Sequence, residues 1–75
     1  ALAPAIRVNA IAPGLVAAPP AWSAEDEARF LRHVPLGRSG AAEDVAGAVC
    51  WLVDAPYVTG VVLPVDGGRG VSGWR

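Results

Sequence analysis

Ile6-Arg7-Val8-Asn9-Ala10-Ile11-Ala12-Pro13-Gly14 is the stretch that decides the fold class. Residues 6 to 12 read as a strand. One face carries Ile6, Val8, Ala10 and Ala12; the other carries Arg7, Asn9 and Ile11. Both faces hold apolar residues, as in a parallel strand covered on both sides. The strand stops at Pro13-Gly14. Proline fixes its own φ and has no N–H, and glycine adds no side-chain bulk. In α/β proteins ligands sit just beyond the carboxyl ends of strands. The corner therefore has two readings: an ordinary strand-to-loop turn, or a backbone wall that a flat ligand approaches closely.

Downstream, residues 13 to 22 form a loop rich in Pro and Ala, with Pro19 and Pro20 adjacent. Ser23 suits an N-cap, and Asp26 stands at the capping-box distance. Glu25, Asp26 and Glu27 put negative charge at the positive end of a helix dipole. The spacing predicts a helix from Ala24 to His33, ending before Pro35, with Phe30, Leu31 and Val34 buried. This short amphipathic helix and the loop before it suit a lid. A turn over Pro35 to Gly40 precedes a second helix over Ala42 to Asp54, where Val45, Val49, Leu52 and Val53 recur at helical spacing. Cys50 reads as a buried structural thiol. Val61 to Val65 is a short apolar run expected as a second strand, and Pro64 removes a ladder donor, which favours a sheet edge. Asp66-Gly67-Gly68 is a turn, and Trp74 is expected to pin the tail to a neighbouring surface. Strand, loop, helix, helix, strand makes a βαβ-type unit, whose crossover is right-handed.

Composition narrows the function classes. The chain has 75 residues, 53% hydrophobic and 17% charged, with a net charge of -1. That is too apolar for a disordered segment. A domain this small buries about 60% of its unfolded surface and normally needs a staple. One cysteine and one histidine supply neither a disulfide nor a metal cluster. The apolar excess is thus expected to be covered by a partner or by further sequence. Arg29, Arg32 and Arg38 are interleaved with acids, so no nucleic-acid patch forms. No apolar run approaches the ~20 residues of a membrane span, and no signal-peptide pattern opens the chain. A single unpaired cysteine fits a reducing cytoplasm. The chain starts without methionine and contains none, as expected of a processed product, a fragment or an incomplete reading frame.

Chemistry is sparse. Gly68-Arg69-Gly70-Val71-Ser72-Gly73 matches G-x-G-x-x-G, but a phosphate loop needs a following helix, and only Trp74 and Arg75 remain. Ser23, Ser39 and Ser72 stand in caps and turns. His33 ends a helix, where a basic group complements the dipole. The carboxylates are accounted for as helix-start charges. No catalytic or metal-ligating set is expected within the chain.

Taken together, IRVNAIAPG at 6–14, PLGR at 35–38, EDVAGAVCWL at 43–52, YVTG at 57–60 and VDGG at 65–68 resemble, in order and spacing, the C-terminal third of a short-chain dehydrogenase/reductase. Pro-Gly-Leu followed by Pro-Pro-Ala-Trp is similar to the pteridine reductase-like branch. The resemblance implies an α/β fold: the C-terminal βαβ-type portion of a doubly wound Rossmann domain. Residues 1–75 would be that partial dinucleotide-binding domain, with two parallel strands and two helices. It places Pro13, Gly14, Leu15 and Val16 against the nicotinamide of NAD(P), with NADP favoured in the pteridine reductase-like branch. It makes residues 17–34 the substrate lid. Where many members carry a cofactor-contacting Thr, this chain has Ala17 or Ala18.

The family's Gly-rich loop, its Asn-Ala-Gly segment, its catalytic Ser and its Tyr-x-x-x-Lys have no counterpart in this sequence. Tyr57 belongs to the Tyr-Val-Thr-Gly motif instead. The resemblance therefore implies a piece of an oxidoreductase acting on a small carbonyl or pteridine-like substrate. By itself that piece is expected to be inactive and to bind the cofactor weakly or not at all. A non-catalytic oligomerisation or interaction module derived from the same fold, associating with itself or with a full-length relative, is the alternative, and a homo-oligomer is expected.

Overall fold

β1 (Ala10–Pro13) and β2 (Val62–Val65) lie side by side and parallel in the computed structural model, with Ala10 opposite Val62 and Pro13 opposite Val65. The structure describes residues 2–74, with side chains for residues 2–71. Between the strands run α1 (Ala24–Leu31) and α2 (Ala42–Val53), and a 3-10 helix over Arg69–Trp74 follows β2. This is the α/β, βαβ-type arrangement expected from the sequence.

The Ala10 N–H donates to the Val61 carbonyl and the Gly14 N–H to the Val65 carbonyl, both at 2.9 Å. In a parallel ladder, alternate residues then face the partner. Pro64 consequently turns its missing donor to the outer edge of β2, and Pro13 turns its own to the opposite edge of β1.

β1 is shorter than the strand expected over 6–12. Residues 6–9 lie outside the strand, and the chain opposite them is turn and loop. One backbone bond, from the Gly60 N–H to the Val8 carbonyl at 2.8 Å, spans the gap there, and side chains supply the rest. Val8 N–H donates to Thr59 Oγ1, Asn9 Nδ2 donates to the Val58 carbonyl, and Val61 N–H donates to Asn9 Oδ1.

α1 begins as its sequence dictates. Asp26 N–H donates to Ser23 Oγ at 3.1 Å, and Ser23 N–H donates to Asp26 Oδ2 at 2.9 Å. The helix closes at Leu31, two residues before the expected end, through tighter bonds from His33 N–H to Phe30 and from Val34 N–H to Leu31. α2 starts after Ala41, whose methyl cannot cap. Asp44 Oδ2 accepts the Ala41 N–H at 2.7 Å instead, the reciprocal half of a capping box.

Arg7 fastens the far end of α2. Its guanidinium donates to the carbonyls of Leu52, Val53, Ala55 and Val58 at 2.9–3.1 Å. Leu52, Ala55 and Val58 carbonyls also accept other donors, so the guanidinium fills their second lone pairs, and its charge suits the negative end of the helix dipole.

The core is small. α2 packs on both strands, but only Val34 (6% exposed) and Leu52 (7%) are buried among the described side chains. Phe30 and Leu31 are half-buried, and so is Val45. Val49 and Val53 are exposed, and Cys50 is an exposed free thiol rather than the buried one expected. Helical spacing put all of them on apolar faces, but the strands cover only the Leu52 side. Among the described residues no helix is long and apolar enough to cross a membrane.

Candidate functional site

The carboxyl ends of β1 and β2 meet where Pro13-Gly14 and Asp66-Gly67-Gly68 leave the sheet. A Cβ on Gly14 would stand 2.8 Å from Asp66 Cα and 2.9 Å from Asp66 Cβ. Glycine is therefore required there by the neighbouring strand. The Gly14 side that lacks a side chain faces Asp66, which is a third reading of the corner beside turn and ligand wall.

Asp66 shapes the other half of the corner. Its Oδ1 accepts the Gly68 N–H at 2.9 Å and its Oδ2 the Gly70 N–H at 3.0 Å. Gly67 and Gly68 have φ of 65° and 91°, a region that side chains rarely adopt. Against this turn docks the segment after α1. Leu36 N–H donates to the Gly67 carbonyl at 3.0 Å. Val34 Cγ1 lies 2.7 Å from where a Gly67 Cβ would be. Pro35-Leu36-Gly37-Arg38 and Val65-Asp66-Gly67-Gly68 thus form one clamp, though 30 residues of sequence separate Pro35 from Val65.

Pro13, Gly14 and Leu15 line an open depression of about 410 Å³, shared with Phe30, Asp66 and Arg69. Because Gly14 N–H is spent on Val65 and Pro13 has none, these residues present an apolar wall rather than a donor array. Leu15 also borders a smaller, more enclosed cavity of about 110 Å³ with Val34, Leu36 and Val65. Its carbonyl accepts the Gly40 N–H at 2.8 Å. Val16 is set apart from the other three expected site residues, beside Gly40, where its Cγ2 lies 3.9 Å from an added Gly40 Cβ.

α1 borders the depression through Phe30. The Trp22 ring packs on Phe30 at 5.5 Å between centroids, tilted by 48°. From the tail, the Arg69 guanidinium carbon lies over the Phe30 ring, 4.7 Å from its centroid. The charges on the helix starts are tied locally. Asp26 is held below the usual carboxylate value first by the Ser23 backbone N–H, then by the Ser23 hydroxyl and Arg29. Asp44 is lowered first by the Ala41 backbone N–H and then by Arg38, 3.3 Å away.

Arg7, Asn9 and Thr59 carry structural hydrogen bonds that sequence reasoning missed, because their partners lie 45 to 52 residues away. Arg69 was also passed over at this site, having been read only as part of a mismatched glycine motif. The Trp74 side chain, expected at an interface, lies outside the described residues.

The family model described as enoyl-(acyl carrier protein) reductase matches residues 1–69. A ketoacyl reductase assigned to the granaticin polyketide synthase of Streptomyces violaceoruber is 52% identical over 69 residues, 87% of this chain and 28% of the relative. A short chain dehydrogenase from Bacillus anthracis superposes with a TM-score of 0.73 at 41% identity, over 88% of this chain and 27% of that one. A protein described as a D-mannonate oxidoreductase from Haemophilus influenza, solved with bound NAD, superposes with a TM-score of 0.72 at 36% identity. That match covers 87% of this chain and 28% of the other. The chain spans little more than a quarter of the relatives it matches.

Proposed function

The chain belongs to the short-chain dehydrogenase/reductase family, and on that premise we propose that it supplies the C-terminal part of the dinucleotide-binding fold of an NAD(P)-dependent carbonyl oxidoreductase. The observation that carries this reading is the Pro13-Gly14-Leu15 wall. It stands at the carboxyl end of β1 and opens onto a depression of about 410 Å³. An apolar, side-chain-poor surface at a strand end suits a planar ring.

The nicotinamide, when bound, supplies the hydride. Pro13, Gly14 and Leu15 limit its position from one side and keep water from that face. Val16 would extend the contact only if the 15–16 segment turned from Gly40. α1 and the loop before it, with Trp22 and Phe30, form the lid over the substrate side. The proton donor is not assigned within this chain. All six basic residues are arginines, so no Tyr-x-x-x-Lys pair exists here, and Tyr57 is fully exposed. The wall reads the ring that NAD and NADP share. NADP preference and a pteridine-like substrate are finer proposals within the same reading.

Titrating the 15N-labelled chain with nicotinamide mononucleotide tests the wall. Selective shifts at the Gly14 and Leu15 amides, with α2 unmoved, are expected. Uniform or absent shifts contradict it. Because no phosphate cradle is assigned to the chain, calorimetry is expected to show no micromolar affinity for NADPH.

The self-associating alternative draws on a different observation. Trp51 is 57% exposed, Val53 66% and Val62 65%, a share of apolar surface that favours burial against a second copy.

A further inference from the structure

The chain has six arginines and no lysine, and most of the described arginines are already engaged. Arg7 is spent on four carbonyls. Arg29 pairs with Asp26 and Arg38 with Asp44, each at 3.3 Å. Among the described residues no carboxylate lies within ion-pair range of Arg32 or Arg69. Of these two, Arg69 lines the depression that Pro13 and Gly14 border.

Arg69 is also oriented. Its guanidinium rests over Phe30, 4.7 Å from the ring centroid, and Phe30 is in turn backed by Trp22. A guanidinium over an aromatic face keeps its N–H donors at its rim, where they match a carboxylate or phosphate. The nearest acid in the same depression is Asp66, but both its oxygens accept backbone N–H groups of the Gly68 and Gly70 turn. That carboxylate organises the turn and makes no ion pair with Arg69.

We propose that Arg69, seated on Phe30, is the specificity-determining residue of this site and selects carbonyl substrates that carry an anionic group, a carboxylate or a phosphate. The inference deepens the reductase reading and rests on it for the word substrate. The anion site itself is testable without it. Because Phe30 belongs to the lid and Arg69 to the tail, an anion held at Arg69 would also fix the tail against α1.

Side-chain NMR of the 75-residue chain tests this directly. The Arg69 resonances are expected upfield through the Phe30 ring current. Acetoacetate should move the Arg69 Nε–Hε signal saturably, with an affinity of about millimolar, whereas its neutral methyl ester should not. Inorganic phosphate distinguishes a phosphate preference from a carboxylate one. Arg69→Gln should weaken binding about tenfold or more, and Arg32→Gln should leave it unchanged. Absence of the upfield shift removes the seated arrangement and overturns the proposal. A shifted signal that ignores both anions, or that responds equally to chloride at matched ionic strength, overturns it as well. Nicotinamide mononucleotide, read at Gly14, reports separately on the wall, so failure of either reading is seen apart from the other.

Discussion

A methyl group on Gly14 would stand 2.8 Å from Asp66 Cα, closer than such contacts occur, so the strand ends must part to admit it. Overpacking of this kind costs roughly 1–3 kcal/mol. Gly14→Ala is expected to speed exchange of the residue-14 amide about 10- to 100-fold, as its bond to Val65 opens more often. Unchanged exchange contradicts the packing account. Arg7 offers a second test. Arg7→Gln abandons four carbonyls at the end of α2, and charge-assisted bonds contribute about 1.5–3 kcal/mol each before coupling. The Asp54 amide, which bonds to Cys50, should exchange at least about tenfold faster. Arg7→Lys should recover only part, since a single ammonium lacks the planar fork. Neither role was legible in the sequence. The corner at Pro13-Gly14 was visible, but that its glycine answers to Asp66 depends on a contact 52 residues away in the chain.

Helix starts were the most legible elements, because their signals are local. Ser23 and Asp26 made the capping box at the expected positions, and the end of α2 near Pro56 followed from the same logic. Ser23→Ala is expected to weaken α1 by about 1 kcal/mol, seen as lost helicity by far-UV circular dichroism. The pH dependence follows from the same bonds. Asp26 and Asp44 have folded pKa values below the ordinary 3.8. Such groups stabilise fully above the unfolded value and lose that contribution as pH falls through the folded one. Helicity should therefore hold from neutral pH to about 4 and decline below it. Asp26→Asn should flatten the α1 part of that decline, and an acid-insensitive wild type would contradict it. Strand limits were less legible. The alternation over 6–9 reads as strand, yet beside a single backbone bond from Gly60 to Val8 the pairing there is made by the Asn9 and Thr59 side chains. Periodicity also marked Val49 and Cys50 as apolar-face residues without saying which face would be covered.

At the scale of the whole molecule, the radius of gyration is 15.1 Å, against about 11 Å for a compact domain of this length. The accessible surface is 5599 Å², against ~4,300 Å² for a folded monomer of this mass. Both excesses belong to a thin, two-stranded layer with uncovered faces, and a sheet of two strands is marginal alone. If copies of the chain cover one another, sedimentation should show a dimer or larger species, and the urea midpoint should rise with chain concentration. A monomer with no cooperative transition would contradict that self-association. The central claim, that this segment forms the nicotinamide wall of a reductase, is tested most directly by exchange. The corresponding segment of the Bacillus anthracis short chain dehydrogenase, 41% identical to this chain, would be replaced by residues 1–69. A cooperatively folded chimera that binds NAD(P)H and reduces a carbonyl substrate is expected. A chimera that folds cooperatively but binds no nicotinamide cofactor would contradict it.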